Sequence, residues 1–199
     1  MNHSRTDEGR RARRLVALLA VLLCAGSLPA KDAEVTYHDP NMDFASIQTV
    51  AVLPFANLTG NTRAAETVRD VFMTMLQASG PLYVVPPGEV GRGISRLSLR
   101  EPASPAAEDI KQLAQMLGAE VVITGVVSEY GELRSGGTAG NVVTVSVRML
   151  EAQTGKVVFS ASASDGGVSF GARMFGGGGR PMNEVTRKAV KKLLDQLFD

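Results

Sequence analysis

Residues 141–150, NVVTVSVRML, alternate apolar and polar side chains, and residues 156–164, KVVFSASAS, do so again after the turn AQTG. A repeat of two is the repeat of a strand, because successive side chains point to opposite faces. The spacing predicts an antiparallel hairpin. Val143, Val145, Val147 and Met149 share one face with Val157, Phe159, Ala161 and Ala163, and the polar partners leave the other face wet. One side of such a hairpin has to be covered by other elements of the chain.

Those elements can be read from the sequence. TVAVLPF (49–55) is a short, almost wholly apolar run closed by Pro54, which suits a strand buried on both faces. ANLTGN then turns into a helix over 63–79, whose Ala64, Val68, Val71, Phe72, Met75 and Leu76 recur at steps of three and four. Gly80 and Pro81 stop it, and LYVVP (82–86) is a second short strand. PGEVGRGISRL places Val90, Ile94 and Leu97 on one stripe, weakened by Gly91 and Gly93. A better helix spans 105–117, with Ser104 as N-cap, Pro105 at the first position and Gly118 as C-cap. Its buried face is Ile110, Leu113, Ala114 and Leu117. Residues 120–133 form a strand interrupted by Gly125. The last helix spans 182–198, with Val185, Ala189, Leu193 and Leu197 inward and Lys188, Lys191 and Lys192 solvated. Glu184 supports Lys188 four residues on. The order β-α-β-α-α-β-β-β-α predicts a single-domain α/β sandwich, a mixed β-sheet with packed helices.

Before this domain, Arg10, Arg11, Arg13 and Arg14 precede the apolar run 15–23 and then the smaller residues Cys24-Ala25-Gly26-Ser27. The run is about half the roughly 20 residues a membrane-spanning helix requires. Residues 1–30 are therefore expected to be a bacterial export signal. Residues 31–46 read as an extended, polar tether with a β-prone piece at 35–37, and 47–199 as the folded domain. Cys24, the only cysteine, can form no intrachain disulfide. It stands where a lipoprotein cleavage box would end, although Leu23 occupies a position that usually holds Gly, Ala or Ser. Lipidation at Cys24 and plain cleavage after Ser27 or Ala30 both remain open, the second giving a soluble periplasmic protein.

The first 23 residues hold five arginines against Asp7 and Glu8, and the remaining 16 basic and 18 acidic residues leave a net charge of −2. That is no footprint for nucleic acid. The stretch FGARMFGGGGRPMNEV (170–185) runs four glycines into a helix start, as phosphate-binding loops do. However, Gly171 and Gly176 have P-loop spacing without the Lys and hydroxyl that follow in such loops, and no GxGxxG can be read. The stretch is expected to be a linker, or a partner-binding loop using Phe170, Met174, Phe175 and Arg180. DPNMD (39–43) begins like a calcium loop, but Phe44 replaces the required glycine and Val50 stands where the bidentate Glu belongs. After the signal only His38 could serve as an imidazole base, and no GxSxG surrounds a serine. Glu129 and Glu132 read as solvent-facing strand-end charges. No catalytic, cofactor-binding or metal-ligating constellation is expected.

TVAVLPFANLTGN with its amphipathic helix, then LGAEVVITGVVSEYGE and EAQTGKVVFSASAS, resembles the envelope lipoproteins related to the curli-secretion protein CsgG and the penicillin-binding-protein activator LpoB. The N-terminal domain of TolB shares their fold. The resemblance spans 47–199 and implies a non-enzymatic accessory protein on the periplasmic side of the envelope, an outer-membrane lipoprotein held by lipid on Cys24. It implies contact with an envelope partner that the resemblance does not identify. A homo-oligomeric CsgG-like secretion or assembly subunit is the alternative. CsgG builds its pore from added membrane-spanning hairpins. Here the strand pairs within 121–150 and 141–164 read as short, and the turns RSGGTAG and AQTG carry no apolar extension of about ten residues. A pore is not expected.

Overall fold

A computed structural model describes residues 36–135, 138–167 and 179–198, all within one compact unit. Among these residues seven strands form one sheet: β1 (Thr36–His38), β2 (Thr49–Val52), β3 (Ala56–Asn57), β4 (Tyr83–Val84), β5 (Val121–Ser135), β6 (Thr138–Glu151) and β7 (Val157–Gly166). Four helices accompany it: α1 (Ala64–Ala78), α2 (Pro87–Arg96), α3 (Ala107–Leu117) and α4 (Met182–Phe198). The spatial order is β1-β7-β6-β5-β2-β4, with β3 also pairing β5. β2 and β3 lie parallel to β5, whereas β5-β6-β7 is an antiparallel meander. The mixed α/β sandwich is thus as the sequence reads.

Alternation divides the core between two faces of the sheet. Val50, Val52, Val121, Ile123, Val143, Val145, Val147 and Met149 meet α1 and α4. Ala51, Leu53 and Val122 meet α2 and α3 on the other side. The run 49–53 is therefore apolar because both its faces are covered. In α4 the expected Val185, Ala189, Leu193 and Leu197 are all buried, and Glu184 pairs with Lys188 at 2.9 Å.

The expected strand 49–55 ends at Val52 as β2, the chain pairs again only after Pro54, as β3 within the expected turn, and the break leaves backbone groups to be satisfied. Arg69 of α1 donates to the Val52 carbonyl at 2.6 Å. Burial lowers its pKa, against the opposing pull of Asp70 and Glu66. The following turn is organised by asparagines: Asn57 Oδ1 accepts from the Thr59 N–H at 3.0 Å and Asn61 Oδ1 from the Arg63 N–H at 3.0 Å. These local bonds explain why Asn stands there.

Several expectations need correcting. α2 is a complete ten-residue helix despite its glycines. A Cβ on Gly93 would come within 2.7 Å of Leu113 Cδ1, so the glycine permits close packing of α2 on α3. Gly125 does not interrupt β5. Its missing side chain makes room for the Phe55 ring, which a Cβ would approach to 2.7 Å. α3 begins at Ala107 rather than Pro105, and in place of a Ser104 cap Asp109 accepts from the Ala106 N–H at 3.2 Å. Gly118 closes the helix in the left-handed conformation, as expected. Val157 is not inward: the register shifts between Met149 and Leu150, and Val158 takes the buried place beside Phe159. Such a bulge sets two successive residues against one. β5 and β6, at 15 and 14 residues, are also longer than their reading as short strands.

The segment 36–46, read as the end of a tether, is docked. β1 pairs antiparallel with β7, Thr36 hydrogen-bonds to Gln196, and His38 Nε2 donates to the Gln196 carbonyl at 2.9 Å. His38 stands edge-on to Phe44 and Phe159. In DPNMD, Asp39 and Asp43 are spent on backbone: Asp39 accepts from the Asn41 N–H at 2.9 Å and Asp43 from the Ala45 N–H at 3.1 Å.

Candidate interaction surface

The expected site residues separate. Cys24, Phe170, Met174 and Phe175 lie outside the described residues. Arg180 is described, and its guanidinium meets Asp165 at 2.7 Å, with Lys192 of α4 reaching the same carboxylate at 3.2 Å. Asp165 is only 10% exposed, so this ion cluster is half-buried. Asn141 adds to it, donating from Nδ2 to the Arg180 carbonyl at 2.8 Å and accepting from the Gly167 N–H at 2.7 Å. Gly179 lies so close to the β6 backbone that a Cβ would come within 2.7 Å of Gly140 Cα. The end of β7 and the approach to α4 are therefore pinned together. Arg180 is engaged in that closure.

Glu129 and Glu132, three positions apart, fall on opposite sides of β5. The first accepts from Thr144 Oγ1 and the second pairs with Arg134 at 2.8 Å. Among the described residues no group of three or more His, Cys, Asp or Glu could hold a metal ion, and no helix is long and apolar enough to cross a membrane.

A further surface lies elsewhere, on the wet face of the meander. α2 and α3 cover β2 and the start of β5, then stop, and the rest of that face carries hydroxyls. Ser146 donates to Ser162 at 2.9 Å, and Thr144 and Ser164 are paired at the same distance. Where the helices end, the connection between α2 and α3 overhangs the sheet and makes a groove of about 320 Å³. Leu58, Pro105, Val126, Leu150 and Val157 form its aliphatic walls, while Ser104, Thr124 and Ser146 supply hydroxyls. Arg148 is exposed in it and is the only charged residue among the described residues of the lining. Among the described residues Arg148 forms no ion pair or side-chain hydrogen bond. Leu58 is 70% exposed, a large apolar residue at the rim. The sequence offered the alternation that turns Arg148 outward. It could not show that β3 and the α2–α3 connection converge on it, because those contacts are far apart along the chain.

Residues 43–199 match the family model described as "Curli production assembly/transport component CsgG". No curated relative matches significantly. Among solved structures, a PelC dodecamer from Paraburkholderia phytofirmans aligns at 19% identity over 82% of this chain and 95% of that one, with a TM-score of 0.55. Lipoprotein GNA1162 from Neisseria meningitidis aligns at 19% identity over 76% of this chain and 98% of that one, with a TM-score of 0.56. The LpoB C-terminal domain from Salmonella enterica, at 16% identity over 74% and 92% of the two chains, reaches a TM-score of 0.46, too loose a likeness to bear on function.

Proposed function

The chain belongs to the CsgG family, and on that membership we propose that it is an exported, lipid-anchored, non-enzymatic accessory protein that binds other components of the bacterial envelope. The observation that carries this reading is the joining, in one chain, of that family domain to an arginine-led apolar segment ending at Cys24. Lipid on Cys24 holds the domain at the periplasmic side of the outer membrane, since two or more acyl chains anchor stably where one does not. Residues 25–35 then lie between the anchor and β1. Contact with the partner falls to the hydroxyl-bearing sheet face and to the loop holding Phe170, Met174 and Phe175.

A second reading is favoured by the PelC likeness, because that protein is described as a dodecamer. In it the chain is a subunit of a homo-oligomeric assembly ring. Crosslinking in intact envelopes followed by affinity capture, with sizing of the purified protein, separates the two. The first reading expects a discrete adduct with a different envelope protein and a small particle. A ladder of self-adducts and a large symmetric particle would replace it with the ring. Absence of any adduct would contradict both.

A further inference from the structure

We propose that the groove around Arg148 is a recognition site for an aliphatic peptide segment bearing a single carboxylate, supplied by the envelope partner. The proposal rests on the partner-binding reading above and adds the chemistry of what is bound. Its warrant is charge complementarity. Among the described residues Arg148 is the sole charged one lining the groove, so an occupant without an anion would leave a guanidinium covered and unpaired. One carboxylate matches the guanidinium fork with two parallel hydrogen bonds. A phosphate group, with more charge to neutralise, would call for further cations that the lining does not contain.

The walls narrow the choice further. Leu58, Val126, Leu150 and Val157 present aliphatic surface, which selects Leu-, Ile- or Val-like neighbours for the carboxylate. Sugar rings are commonly held by stacking on aromatic faces, and among the described residues no aromatic one lines this groove. Thr124 on the floor supplies a hydroxyl that can donate to a peptide carbonyl, while Ser146, whose proton goes to Ser162, can accept from a peptide N–H. A volume of about 320 Å³ lies at the lower end of the usual range for ligand pockets, roughly 300–1,000 Å³. It suits a short motif rather than a broad interface.

The test is amide chemical-shift titration of the purified, isotope-labelled protein with acetyl-Leu-Glu-Leu-amide and with its Gln isostere. The Glu peptide should shift amides at Thr124, Val126, Ser146, Arg148 and Leu150, and the Gln peptide should bind about tenfold more weakly, the loss of one charge-assisted pair. Arg148→Gln should abolish the difference between the peptides, and Arg148→Lys, which keeps charge without the fork, should fall between. Arg148 is exposed, so both variants should retain the wild-type spectrum elsewhere. Equal binding of the two peptides, no shifts at these amides, or undiminished binding by Arg148→Gln would overturn the proposal. Stronger shifts with glucuronate or inorganic phosphate would overturn it in favour of a sugar or phosphate ligand. Shifts of these amides with protein concentration alone would overturn it in favour of a second copy. Envelope crosslinks that persist in Arg148→Gln would sink the groove but leave the binding-module reading standing. Peptide binding in a protein that captures no envelope partner would do the reverse.

Discussion

Gly125 sits under the Phe55 ring, and Phe55 in turn packs on Phe72 with centroids 5.8 Å apart. Gly125→Ala would force that ring out of place, and overpacking of this kind costs about 1–3 kcal/mol. Thermal denaturation should show the loss. It should be much smaller when Phe55→Leu is already present, a non-additivity expected of residues in contact. Glu120 carries a prediction about pH. Its carboxylate accepts the Gln48 and Thr49 N–H groups at the start of β2, and these bonds hold its pKa below the usual carboxylate value. A carboxyl with a lowered folded-state pKa contributes stability above its unfolded value, about 4.3 for Glu, and loses it as pH falls through the lower folded value. Tm should therefore drop more steeply in acid for the wild type than for Glu120→Gln, and the two curves should converge at the lowest pH. Parallel curves would show that the bonds carry no net stabilisation. The Asn57 and Asn61 turns could be read from sequence because their bonds are local. The roles of Gly125 and Glu120 could not, because each depends on a residue some 70 positions away.

At the scale of elements, period decided what was legible. α1, α4 and the strands of the meander repeat their patterns long enough to be read to within a few residues. β1, with three residues, has too few positions to show a period, and the bulge at Val157–Val158 breaks the alternation where it was extrapolated. In α2, glycine's low helix propensity argued against the helix, yet packing of Gly93 on Leu113 overrode it. α4 allows a direct comparison of its two faces. Leu193, 1% exposed, covers the sheet, so Leu193→Ala should cost about 2–5 kcal/mol in denaturant unfolding. Lys191, 64% exposed and paired with Asp195 at 2.6 Å, lies on the opposite side, and Lys191→Ala should change stability by no more than about 0.5 kcal/mol. Similar costs at the two positions would mean that α4 is not packed as described.

The whole molecule joins a domain legible in outline to a site that was not. The mixed sheet with its packed helices followed from pattern, and the family from the strand TVAVLPF with its turn. The groove arises only when β3, β5, β6 and the α2–α3 connection assemble, and a single arginine in an alternating strand is no signal by itself. The proposed placement in the envelope rests on Cys24, and intact-mass measurement of the mature protein recovered from membranes tests it most directly. The account predicts a chain beginning at Cys24 with the added mass of a diacylglyceryl group and a further acyl chain, and Cys24→Ser should shift the protein to the soluble periplasm or leave its signal uncleaved. A mature chain beginning at Leu28 or Lys31 without lipid would contradict it.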